Sequence, residues 1–211
     1  LERIIDGRTP RWFLGWRDIC RATDERTVIA SVVPWAGVGD TLLLMFPNAP
    51  AACIAALLAD QCSLVHDFVA RQKVGGTHLK YHTKKQITNL PPDRYTEADL
   101  AFIVPRVLEL TYTAEDLRPW AEDLGYTGDP FRWDPERRAI LRAELDAYYA
   151  RLYGLTRDEL RYILDPADVM GPDYPTETFR VLKQNEESRF GEYRTRRLVL
   201  EAWDRLEAGE L

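Results

Sequence analysis

The spacing of apolar and polar positions changes character three times along the chain. Between residues 9 and 46 it shows short apolar runs broken by turn residues. "RWFLGWRDICRA" is rich in aromatics, "RTVIASVVP" is β-branched and ends at Pro34, and "DTLLLMF" has Gly37 and Gly39 before it and Pro47 after it. Runs of this length between Gly and Pro predict strands of a small sheet. "PNAP" then predicts a helix start, with Asn48 as cap and Pro50 in the first turn. "AACIAALLADQCSLVHDFVARQ" follows at helical period. Asp60, Gln61, His66 and Asp67 interrupt its apolar character, so it reads as a buried helical hairpin or a bent helix. "VGG" stops that unit. Thr77, His78, Leu79, Lys80 and Tyr81 alternate as a strand does. "HTKKQ" either continues the strand or makes a single helical turn, and the prolines of "LPP" end the segment.

After Pro92 the period becomes three to four. "YTEADLAFIVPRVLELTYTAEDLRPWAEDLGY", "DPERRAILRAELDAYYARLYG", "LTRDELRYILDPADV" and "EYRTRRLVLEAWDRLEAG" predict amphipathic helices. Thr96 with Asp99 and Thr113 with Asp116 have the spacing of capping boxes. The fold class expected is α+β: a small mixed sheet with flanking helices over residues 1–92, then an all-helical region over residues 93–211.

Bulk properties narrow the function. With 45% hydrophobic and 29% charged residues the composition is globular. No run of eighteen apolar residues predicts a membrane span, and no signal peptide is visible. Three cysteines, none in a Cys-x-x-Cys pair, argue against a disulfide scaffold and for a cytoplasmic setting. The chain begins with Leu, which suggests a piece of something longer.

Charge is where the sequence departs from the ordinary. The chain carries a formal −6, yet "RQKVGGTHLKYHTKKQ", residues 71–86, holds Arg71, Lys73, Lys80, Lys84 and Lys85 and no acid. The remainder therefore sums to −11. Read as a strand, the segment puts His78, Lys80, His82, Lys84 and Gln86 on one face and Leu79 and Tyr81 on the other. The plain reading is a solvated sheet face. The sharper one is a footprint for phosphates, because a basic strip on an acidic protein suits a polyanion. Other motifs are weaker. "HLKYH" lacks the Glu of a zinc-protease helix and a third ligand. Ser63 and His66 lie within one apolar helix, which does not suit a triad. "WAGVGD" has too few glycines for a nucleotide fingerprint.

Five segments in order carry a resemblance: "ATDERTVIASVVP", "ARQKVGGTHLKYHTKKQITNLPP", "VLELTYTAEDLRPWAEDLGY", "FRWDPERRAILRAELDAYYARLYGLTRDELRYILD" and "KQNEESRFGEYRTRRLVLEAWDRL". Together they resemble the C-terminal part of large adenine-N6 DNA methyltransferases of type IIG restriction–modification and related phage-defence systems. The resemblance covers nearly the whole chain. It departs at Asp24, where the family commonly has Asn. It implies a target recognition domain similar to those of TaqI-like methyltransferases and type I specificity subunits. It implies double-stranded DNA and a methyltransferase domain as partners. A monomer without membrane association is expected. S-adenosylmethionine is expected in the parent enzyme, with no cofactor in this chain. An N-P-P-Y-like tetrapeptide and a Gly-rich methyl-donor loop are absent, so these residues are expected not to be an enzyme alone. Candidate DNA contacts are Arg26, Lys73, Thr77, His78, Lys80, His82, Lys84 and Lys85. The alternative expectation is a protein–protein module that docks through the C-terminal helices.

Overall fold

The computed structural model describes residues 11–175 and 177–211. The first two residues of the expected β region, 9 and 10, lie outside them. Among the described residues three strands, β1 (Trp12–Arg17), β2 (Ala30–Pro34) and β3 (Leu42–Met45), form a sheet in the order β2-β1-β3. Both pairings are antiparallel, with Phe13 opposite Val33 and Leu14 opposite Met45. The sheet is thus purely antiparallel rather than mixed. The connections over residues 18–29 and 35–41 carry no crossover helix of the kind that parallel neighbours require. β3 passes so close to β1 that a Cβ at Gly15 would stand 2.9 Å from the Leu43 carbonyl oxygen, so only glycine fits there.

Among the described residues ten helices follow: α1 (Ala51–Cys62), α2 (Leu64–Lys73), α3 (Tyr81–Lys84), α4 (Glu97–Thr111), α5 (Arg118–Asp123), α6 (Pro135–Leu152), α7 (Arg157–Leu164), α8 (Ala167–Met170), α9 (Arg180–Phe190) and α10 (Arg194–Glu207). The expected bent helix is α1 and α2, which meet at 61°. Ser63 makes the bend. Its extended backbone ends α1, and its hydroxyl accepts a hydrogen bond from the His66 amide to cap α2. Among the described residues no single helix is long and apolar enough to cross a membrane.

Caps follow the sequence in part. Thr96 and Asp99 form the expected capping box on α4, and Thr156 with Glu159 forms another on α7. Thr113 and Asp116 form none. A 3-10 turn over Glu115–Leu117 intervenes, and α5 begins only at Arg118 with Pro119 behind it. Pro50, not Asn48, occupies the N-cap of α1, where its missing N–H is no loss.

Three apolar clusters hold these elements. Leu14 and Val32 from the sheet meet Ile54 and Leu58 of α1, Val107 of α4, Trp120 of α5 and Tyr149 of α6. This cluster runs unbroken across the boundary drawn at residue 92. A second joins α2, α6, α7 and α10 through Leu64, Ala147, Leu160 and Trp203. The third is small and lies beneath the basic segment: Trp16, Cys20, Val28, Ala70, Val74, Leu79 and Ile87.

Candidate nucleic-acid interface

The basic segment is built on an extension of β1. Beyond Arg17 the chain stays extended, with Asp18 and Cys20 turned inward and Ile19 outward. The Cys20 amide donates to Thr77 O at 3.0 Å and the Leu79 amide to Asp18 O at 2.7 Å. These bonds flank a single antiparallel bridge between Ile19 and His78. Trp16 Nε1 donates to Leu79 O at 2.7 Å. Leu79 is fully buried, and burial of one such side chain contributes about 2 kcal/mol. The alternation expected from residue 77 onward therefore holds, but only as far as Lys80.

At Lys80 the chain turns into α3. The Lys80 carbonyl accepts from the amides of Thr83 and Lys84, a helical rather than an extended pattern. The face on which His78, Lys80, His82, Lys84 and Gln86 were expected together is thereby broken. With helical spacing, Lys84 turns inward along with Ile87. Its Nζ lies 3.4 Å from His66 Nε2 and 5.9 Å from the centre of the Trp16 ring. His66 Nδ1 faces Thr88 O at 3.1 Å, so Nδ1 carries the proton and Nε2 accepts from the ammonium. Burial pushes the Lys84 ammonium down to about 8. Burial first, and Lys84 second, push the His66 imidazole down to about 3. Lys84 is a buried structural cation and is not available to a phosphate.

Arg26 is also taken out of the expected set. Its guanidinium reaches Cys62 O at 3.4 Å and the Asp146 carboxylate at 3.5 Å, in a cleft between β2 and α6. Arg71, counted among the five basic residues of the segment, is likewise internal. It pairs with Asp67 at 2.9 Å and donates to the carbonyls of Ala22, Asp24, Glu25 and Thr178.

What remains at the surface is Lys73, Thr77, His78, Lys80, His82 and Lys85, with Arg17 and Arg21 on the paired segment. Two of these are held in place. His78 Nδ1 lies 2.9 Å and Lys80 Nζ 2.7 Å from the same oxygen of Asp18, while about half of each side chain stays exposed. Burial pushes the Asp18 carboxyl up, but the hydrogen bonds from Lys80 and His78 outweigh it and leave it below its ordinary value. Asp18 was not picked out in the sequence. The available signal was the alternation "WRDIC", which puts an acid in an inward slot. Tyr81 packs edge-on against Trp16, with ring centres 5.0 Å apart, and its hydroxyl donates to Leu44 O. Lys73, Lys85 and the Arg21 side chain make no ion pair with any described residue. The arginines of α10 contrast with them. Arg194, Arg196, Arg197 and Arg205 pair with Glu136, Asp168, Glu192 together with Glu201, and Glu144 respectively. The charged face on which docking through the last helix would draw is already satisfied within the chain.

Compared with models of known protein families, with curated proteins and with solved structures, the chain gives no match.

Proposed function

We propose that this chain is a sequence-selecting DNA-binding module of an adenine-N6 DNA methyltransferase from a restriction–modification or phage-defence system, and that residues 73–85 face double-stranded DNA. One observation carries the reading. On a chain with 34 acids against 28 lysines and arginines, the exposed cations Lys73 and Lys85 and the neighbouring Arg21 side chain have no acid partner among the described residues. They flank His78 and Lys80, which Asp18 orients. In this reading the free cations neutralise phosphates and set register, while the oriented pair meets base edges. Transfer of the methyl group from S-adenosylmethionine to a flipped-out adenine belongs to the catalytic part of a longer chain. No residue described here is assigned to it.

The test is the salt dependence of duplex binding. With Lys84 and Arg26 withdrawn, about three phosphates are neutralised, and the slope of log affinity against log salt is about −3. A flat dependence on salt contradicts an electrostatic footprint.

A further inference from the structure

A second surface feature is independent of the basic segment. A cleft of about 600 Å³ opens between β2, the α1–α2 bend, α4 and α6. That volume falls within the range of small-molecule sites. Its floor is apolar, made by Ala30, Leu58, Ala59, Val107, Leu110 and Leu145. Arg26, Arg138 and Arg142 stand around it.

Two of these guanidiniums make no ion pair with a described residue. Arg142 is exposed and makes no hydrogen bond or ion pair with any described residue. Arg138 lies one helical turn earlier. It donates to Leu110 O at 2.8 Å and stacks 3.7 Å from the centre of the Trp133 ring, and its buried Nε has no partner. Like charges four apart on one helix repel. Burial first and Arg142 second push the Arg138 guanidinium below its ordinary value. The acids of the cleft are engaged elsewhere. Asp146 accepts from the Leu64 amide at 2.7 Å and faces Arg26. Asp24 accepts from the Arg21 amide at 3.1 Å, and Glu25 accepts from Asn185. The chain thus sets two like charges four apart beside an apolar floor, with no described acid in ion-pair contact with either; Glu109 acts on Arg138 and Asp146 on Arg142 only at longer range.

We propose that this cleft binds a nucleotide unit, with a planar base on the apolar floor and its phosphate between Arg138 and Arg142. Guanidinium groups suit both halves of such a ligand, since they stack on flat rings and fork onto phosphate oxygens. The unit has two sources, a free nucleotide or an unpaired nucleotide of a strand. The proposal does not rest on the DNA-recognition reading, because none of the exposed residues of the 73–85 segment lines the cleft.

The experiment is calorimetric titration of the protein with AMP, ATP, adenosine, inorganic phosphate and a short oligothymidylate. In parallel, modification of Cys62 is timed with a thiol reagent. Cys62 is exposed in the cleft while Cys20 is buried, and a Cys62→Ser control subtracts the other thiols. Expected is saturable binding of AMP or ATP, or of the oligonucleotide, with slower labelling of Cys62. Preference for the mononucleotides marks a free nucleotide as the source, and preference for the oligonucleotide marks a strand. Arg142→Glu weakens binding about tenfold or more. It leaves the melting temperature little changed, since relief of the repulsion with Arg138 is offset by a new like charge four residues before Asp146. Three results overturn the proposal: no binding by any nucleotide probe, binding that Arg142→Glu leaves intact, or inorganic phosphate binding as tightly as AMP. Loss of duplex binding on changing Lys73 and Lys85, with nucleotide binding intact, separates this site from the DNA-facing segment.

Discussion

Replacing Lys84 with Met converts its burial into a measurable pH dependence. The ammonium is buried between Trp16 and His66, and its one hydrogen-bond acceptor among the described residues is a neutral imidazole nitrogen. Burial lowers it from an ordinary 10.5 to about 8. The sign follows from proton counts. Between pH 8 and 10.5 the unfolded chain holds this proton and the folded chain has released it, so stability rises with pH across that window. At 1.36 kcal/mol per unit the rise is about 3 kcal/mol. Lys84→Met has no such proton and lacks the rise. The variant's advantage over the parent therefore shrinks by about 3 kcal/mol between pH 7 and pH 10.5. Urea unfolding of both proteins at four or five pH values in that interval gives the difference directly. Upward-shifted groups, including the thiols of Cys20 and Cys62 and the Tyr153 hydroxyl, lower stability as pH climbs. Cys20 and Tyr153 are common to both proteins and cancel in the difference, while Cys62, whose thiol Lys84 helps to hold down, is taken out of the comparison by making both proteins in a Cys62→Ser background. A difference constant to within about 0.5 kcal/mol across the interval refutes the inward placement of Lys84, because a solvated surface lysine behaves in that way.

Other consequences of the same packing can be checked alongside. Lys73→Glu with Lys85→Glu changes unfolding free energy by no more than about 0.5 kcal/mol, while gel-shift titration shows weaker binding to duplexes of every sequence; unchanged binding removes these two lysines from the interface. Trp203→Ala, in the buried face of α10, costs about 3–5 kcal/mol in denaturant unfolding. Trp203→Phe costs less, because it also deletes an indole N–H that has no partner among the described residues; equal losses from the two changes contradict that packing.

The parts of the fold that were legible in the sequence are those set by local chemistry. Aromatic and β-branched runs between Gly and Pro placed β1, β2 and β3, and the polar positions in "LADQCSLVHD" marked the bend that Ser63 makes. Thr96 and Asp99 formed their box because α4 starts there and runs for fifteen residues. Thr113 and Asp116 had the same spacing, but a 3-10 turn and Pro119 moved the start of α5 beyond their reach. The candidate site was legible up to Lys80. Alternation from Thr77 to Lys80 is fixed by pairing with Asp18 and Cys20. The next residues had no decisive period, and the turn at Lys80 is fixed by distant partners. Lys84 faces inward because His66 arrives from α2, and Arg26 is drawn into the cleft because Asp146 arrives from α6. Those contacts join positions 18 and 120 residues apart, beyond the reach of any local pattern. The concentration of basic residues in the segment thus has two sources: Arg71 and Lys84 serve the interior, while Lys73, Lys80 and Lys85 remain at the surface.

The central proposal is that residues 73–85 read DNA for an adenine methyltransferase, and the set of sites methylated in cells by a protein that carries this chain tests it most directly. A phosphate contact weakens binding about equally on all sequences, whereas loss of a base-edge contact costs about 1–3 kcal/mol on the preferred site and relaxes choice at one base pair. His78 and Lys80 share the Asp18 carboxylate and leave about half of each side chain exposed. Substitution at one of these two positions is predicted to alter one base of the methylated motif, read by sequencing that detects N6-methyladenine across a genome. Lys85→Ala is predicted to lower the extent of methylation and leave the motif as it was. Retained methylation with an unaltered motif for every substitution at His78 and Lys80 contradicts the claim.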